Sequence, residues 1–230
     1  MKKSIFTLLF VAIGGMTMFA AQPKIWLLGD GTMAGWGKAF AEQVGATVEV
    51  KNIAQDGLSM KALDEMGGLD SVIVDKTKKD FLLVQLGQND LNETNLDTYS
   101  SLDDFTQKLV ALVHAAEKKK MMVILCTPLA HPYYKEGVLI DRLGGYAEAV
   151  RRVAISLDVP LIDLEASSHE WIAGLGEEGV QAYYYDGLNT EERPTGEYLL
   201  NDSGAQEIAR MALDGMLMVG SSKITKLLAK

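Results

Sequence analysis

Short apolar runs alternate along this 230-residue sequence with segments whose apolar residues recur at three- and four-residue steps. Glycine-bearing turns follow the first three runs. Together these observations predict an α/β fold: a doubly wound parallel sheet in three layers, with helices on both faces. The expected strands are Lys24 to Leu28, Thr47 to Asn52, Phe81 to Leu86, Met121 to Cys126 and Pro160 to Asp163. Each is a brief β-rich or aliphatic run bounded by turn residues. Between them, Met33 to Val44, Leu58 to Met66, Leu102 to Lys119 and Tyr146 to Leu157 carry the helical period, and a last helix is expected over Ser203 to Met218. In such sheets the functional residues stand in loops beyond the carboxyl ends of the strands. Attention therefore falls on Gly29-Asp30-Gly31, Gly57 and Gly87-Gln88-Asn89-Asp90.

The first residues read differently. Lys2 and Lys3 precede the apolar run Ile5 to Ile13, and small residues follow as far as Ala20-Ala21-Gln22. This is the pattern of a secretory signal peptide, with cleavage near Ala20 or Ala21. The run is too short to span a bilayer. The expectation is a signal peptide over 1–21 and a single domain over 22–230, secreted or periplasmic, with no stable membrane anchor after cleavage. About 210 residues are enough for one sizeable core.

The formal charge is −9, and subtracting Lys2 and Lys3 leaves −11 (−9 − 2) for the mature chain. Nucleic acid and anionic membranes are poor partners for such a surface. Cys126, the lone cysteine, lies in an apolar run and reads as a small buried hydrophobe. No pair of histidines has metal-ligand spacing, so no metal and no cofactor are expected.

The turn after the first strand is the most informative stretch. It reads Gly29-Asp30-Gly31-Thr32-Met33-Ala34, followed by Gly35-Trp36-Gly37. Next come Asn52-Ile53-Ala54-Gln55-Asp56-Gly57-Leu58-Ser59, then Gly87-Gln88-Asn89-Asp90, and near the end Asn201-Asp202-Ser203-Gly204-Ala205. In this order, with Thr127-Pro128, Gly144 to Val150 and Val159 to Leu164 between the last two, the chain resembles the SGNH (GDSL-type) hydrolases. Its blocks are most similar to those of the rhamnogalacturonan acetylesterase-like branch. The resemblance implies the flavodoxin-like SGNH-hydrolase fold and an acetylated or carboxylated glycan as partner.

It also implies where a Ser, Asp and His triad would stand, and there this chain departs. Gly31 occupies the serine position, Gly196 the aspartate position and Leu199 the histidine position. A shift of one residue would put Glu197 in the acid slot without supplying a histidine. None of the three can attack, accept a proton or orient a base. By resemblance, the oxyanion-hole donors are the backbone N–H groups of Gly31 and Gly57 and the side-chain amide of Asn89, expected to remain available. The reading that follows is an exported acetylesterase-like pseudoenzyme that binds without cleaving. Its rivals are an active acetylesterase with a rearranged site and a non-catalytic scaffold.

Asp30, Asp90 and His131 are the possible accessory residues. Asp30 is expected to hold the turn and Asp90 to cap a turn or helix. Thr32 is a poor substitute nucleophile, because neighbouring side chains project in different directions. Ser59 reads as a cap. His131, after the fourth strand, is expected at the rim of the site or on the surface, His114 on a solvated helix, and His169 on a helix beyond the fifth strand. Tyr183-Tyr184-Tyr185, with Trp36 and Trp171, read as packing before they read as a sugar platform.

Overall fold

The computed structural model describes residues 23–219, apart from 47, 77, 78 and 186–198, together with 224 and 228. Both the expected signal peptide and Gly196 lie outside the described residues.

Five parallel strands form one sheet: β1 (Ile25–Gly29), β2 (Val50–Asn52), β3 (Phe81–Gln85), β4 (Met122–Cys126) and, at the far edge, Leu161–Ile162. Their spatial order is β2, β1, β3, β4 and then the Leu161–Ile162 strand. The order reverses between β1 and β3, and the crevice at such a switch point is where doubly wound sheets bind ligands. A two-stranded hairpin, β5 (Tyr134–Lys135) and β6 (Val138–Leu139), lies apart from the sheet, so the edge strand Leu161–Ile162 is β7.

Strand alternation divides the interior into two cores. Ile25, Leu27, Phe81, Leu83, Ile124, Cys126 and Ile162 point to one face, and Trp26, Leu28, Leu82, Val84, Val123 and Leu125 to the other. Both faces are covered, which is why the strands read as continuous apolar runs. On the first face pack α1 (Gly31–Val44), through Met33, Trp36 and Phe40, and the final helix Asp202–Met218, through Ile208, Ala209, Ala212 and Met216. On the second pack α2 (Met60–Glu65), α3 (Leu69–Val72), α4 (Leu102–Lys118) and α5 (Gly144–Leu157). The helix after β7 is α6 (Leu164–Gly179), so the final helix is α7.

Local chemistry sets the boundaries. Helix α1 begins two residues before the expected Met33 because the Asp30 side chain accepts the Thr32 N–H at 3.0 Å and caps the first turn. Likewise α5 begins at Gly144, because Asp141 Oδ1 accepts the N–H groups of Leu143 and Gly144 at 3.0 and 2.8 Å. The edge strands β2 and β7 are shorter than expected, with three and two residue pairs respectively. An edge strand has one neighbour, and Pro160 has no N–H to contribute to a ladder. Helix α6 is legible in the sequence only around His169, since its buried positions Leu164, Glu165, Ser168 and Ile172 include a glutamate and a serine and its regularity breaks at Gly176 (φ 72°).

Among the described residues no helix is long and apolar enough to cross a membrane.

Candidate active site

The site begins where β1 ends. Asp30 is almost fully buried, and its Oδ1 accepts both the backbone N–H of Thr32 and the Thr32 hydroxyl, the latter at 2.6 Å. Gln85, at the tip of β3, donates its side-chain amide to the same hydroxyl and accepts the indole N–H of Trp36 at 2.9 Å. These bonds tie the end of β1 and the first turn of α1 to the end of β3. They also commit the Thr32 hydroxyl, buried between Asp30 and Gln85, to structure.

Burial pushes the Asp30 carboxyl up to about 6, against the opposing pull of its bonds to Thr32. The amides of Met33 and Gln88 lie nearby without closing a hydrogen bond on its Oδ2 atom.

Asp90 joins two of the loops. Its Oδ1 accepts the Met60 N–H at 2.9 Å, so it supports the start of α2, while Ser59 caps the same helix by accepting the Ala62 N–H at 3.1 Å. The expected capping roles of Asp90 and Ser59 are thus the ones seen. The Asp90 carbonyl accepts the Tyr146 hydroxyl at 3.0 Å. Burial raises the Asp90 carboxyl to about 7, with the Asp30 charge adding to the shift and Ser100 and Met60 opposing it. A buried carboxylate that has not met enough donors holds its proton more tightly.

His131 does not stand at the rim or on the surface. It is 3% exposed, with Nε2 3.0 Å from Gln88 Oε1, in the loop that also carries Asn89. Burial, with the nearby Arg142 charge, lowers its pKa to about 3, so the ring is neutral and enclosed. His114 is exposed beside Glu117, as expected of a solvated helix, and His169 lies on α6. Four of the five aromatic residues pack: Trp36 is fully buried against Phe40, Tyr184 is buried and Trp171 meets Tyr183 edge-on at 4.9 Å, whereas Tyr185 is exposed. Cys126 is buried and its thiol is pushed well above the ordinary range by desolvation. Among the described residues no cluster of three or more His, Cys, Asp or Glu side chains converges to hold a metal.

The position of Gly31 is the centre of the arrangement. A Cβ built on it would meet Asp56 Oδ1 at 2.5 Å. The space that a serine side chain would enter is therefore held by a carboxylate from the neighbouring loop. Asp56 is exposed, and the same Oδ1 accepts the Gly57 N–H at 2.9 Å. Gly57 adopts φ +73°, a left-handed conformation that favours glycine. The Asn89 side-chain amide donates to Leu58 O at 2.9 Å, and an amide nitrogen carries a second hydrogen for another acceptor. Two of the three expected donors are thus engaged within the chain.

Sequence reasoning passed over Asp56. The signal available was its place directly before Gly57, a residue already expected to donate to the site. Leu199, in the position expected of the histidine, is 40% exposed and its carbonyl accepts the Tyr185 N–H at 2.9 Å. Its side chain has no proton-accepting atom. A separate cleft of about 450 Å³ is lined by Leu91, Tyr99, Arg142 and Tyr146 among others, and shares none of Gly31, Asp56, Gly57 or Asn89.

Known proteins are similar to this chain in sequence or in fold. The chain is 28% identical over 205 residues to the probable rhamnogalacturonan acetylesterase YesY of Bacillus subtilis (strain 168), covering 87% of this chain and 92% of that protein. It is 28% identical over 219 residues to the rhamnogalacturonan acetylesterase RhgT of the same organism, with coverages of 86% and 90%. The crystal structure of the Bacillus subtilis protein YxiM superposes with a TM-score of 0.74 at 23% identity, covering 88% of this chain and 58% of that one. A catalytic mutant of Axe2, an acetylxylan esterase from Geobacillus stearothermophilus, superposes with a TM-score of 0.66 at 17% identity, with coverages of 87% and 95%. These two structures share the fold. Residues 19–205 match the GDSL-like lipase/acylhydrolase family, and with its five-stranded parallel sheet and the loops that line its switch point, this chain belongs to that family.

Proposed function

We propose that this chain is an exported acetylesterase-like binding protein, which holds an acyl or carboxylate group carried by a glycan and does not cleave esters by Ser-His-Asp chemistry. The observation that carries the reading is Gly31, which offers no hydroxyl and whose side-chain space is taken by the Asp56 carboxylate. Hydrolysis by the serine route needs an attacking alcohol and an imidazole to take its proton. Gly31 and Leu199 supply neither.

A glycan-borne group is favoured by the rhamnogalacturonan acetylesterases to which the chain is similar. The donors that would receive its oxygen are the Gly31 and Gly57 amides and the Asn89 side chain. A rearranged enzyme has little to draw on, since the Thr32 hydroxyl is committed to Asp30 and Gln85 and His131 is enclosed.

The test is an esterase assay with p-nitrophenyl acetate and an acetylated oligosaccharide. It compares the wild type, Gly31→Ser, and Gly31→Ser combined with Leu199→His and Gly196→Asp, each with and without Asp56→Ala. In a comparable triad, loss of the nucleophile or the base alone lowers kcat by about 10⁶-fold. The wild type and the single variant are expected to be inactive, with turnover appearing only when nucleophile, base and acid are restored together. Multiple turnovers by the wild type would overturn the proposal.

A further inference from the structure

The Asp56 side chain sits where an occupant of the site would have to go. Its Oδ1 atom is 2.5 Å from the Cβ position of Gly31 and accepts the Gly57 N–H at 2.9 Å. One oxygen thus fills the vacated serine space and satisfies one of the three oxyanion donors. From these contacts we infer that Asp56 is a specificity-determining gate: it makes the site select a neutral acyl group over a free carboxylate. This rests on the proposed binding function and narrows its ligand class.

First, any oxygen that binds the Gly57 amide must displace an intramolecular acceptor that is already in place. That competition lowers the apparent affinity for every occupant by the fraction of time the internal contact is made. Asp56 is exposed, so its side chain can rotate into solvent and stay hydrated, leaving the Gly57 N–H to the ligand.

Second, the displaced carboxylate remains beside the site, since its backbone is the residue before Gly57. Like charges a few ångströms apart repel, and at the dielectric of a protein surface this corresponds to about a tenfold or larger loss of affinity for an anion. A neutral carbonyl oxygen meets the competition without the repulsion. A serine at position 31 would leave no room for this arrangement, and the glycine creates it.

The two effects separate by substitution. Asp56→Asn keeps an oxygen able to accept the Gly57 N–H but removes the charge. Asp56→Ala removes both. Neither change touches the core, because Asp56 is exposed and its hydrogen bond is to the adjacent residue.

The experiment titrates 15N-labelled protein with acetamide and with sodium acetate at constant ionic strength, following the Gly31 and Gly57 amide resonances and the Asn89 side-chain amide. Wild type is expected to bind acetamide at least tenfold more tightly than acetate. Asp56→Asn should bring acetate to within about threefold of acetamide while leaving acetamide binding near the wild-type value. Asp56→Ala should strengthen both, acetate by more. Equal affinities for the two probes in wild type, or preferences unchanged by either substitution, would overturn the gate while leaving the binding site intact. Absence of any response at these amides in wild type and in Asp56→Ala would overturn the binding function itself, and the gate with it.

Discussion

Asp90 Oδ1 accepts the backbone N–H of Met60 at 2.9 Å, across a separation of 30 residues, and so fastens the loop after β3 to the helix that follows the Gly57 loop. The bond is made by a carboxyl that burial raises to about 7 from 3.8. The folded state therefore holds the Asp90 proton more tightly than the unfolded state does. Its stabilising contribution is complete below about pH 4 and is lost as pH rises through about 7, by a few kcal/mol at about 1.4 kcal/mol per pKa unit. Asparagine keeps the acceptor for Met60 and cannot ionise. In denaturant melts from pH 4 to pH 8, Asp90→Asn is expected to gain stability relative to wild type as pH increases.

His131 works in the opposite sense. Its pKa falls from 6.5 to about 3 on folding, so the folded state binds fewer protons between those values. The neutral ring contributes fully above about pH 6.5, and that contribution is lost as pH falls towards 3. Ring proton resonances of His131 should accordingly stay flat from pH 8 to pH 5. A titration midpoint inside that range would contradict the enclosed, neutral state.

Gln85 gives a structural test of the turn. It is fully buried and joins the Trp36 indole N–H to the Thr32 hydroxyl. Gln85→Leu has a similar volume but leaves the indole N–H without an acceptor, at a cost of about 1–3 kcal/mol. Chemical denaturation should show that loss, with the Asp30–Thr32 contacts weakened as well.

Cys126 should be inert in the folded protein. Its thiol is buried in the sheet and held in the protonated form by desolvation. The thiolate is the reactive species. A disulfide exchange reagent at pH 8 is expected to give no reaction over minutes with native protein and one equivalent after denaturation.

Much of the fold was legible because its signals are local. The strand residues Ile25 to Leu28 and Phe81 to Val84 are apolar at every position, and the capping aspartates and serines stand just ahead of their helices. The hairpin Tyr134 to Leu139 and helix α3 were not anticipated. They are two to four residues long per element, below the length at which periodicity can be counted. The enclosure of His131 is not legible in the sequence for a related reason: a loop residue's burial depends on what packs over it, here Gln88 from another loop.

The order of residues alone determined the parallel α/β class, the family blocks, and the absence of a hydroxyl at position 31 and of an imidazole at position 199. Those are properties of residue type and spacing, which do not wait on packing. Only the tertiary structure decided that the Asp56 carboxylate fills the space beside Gly31, that burial raises the Asp30 and Asp90 carboxyls to about 6 and about 7, and that His131 is sealed against Gln88. Each depends on how closely separate loops approach one another at the carboxyl ends of β1 to β4, and on how much water is excluded when they do.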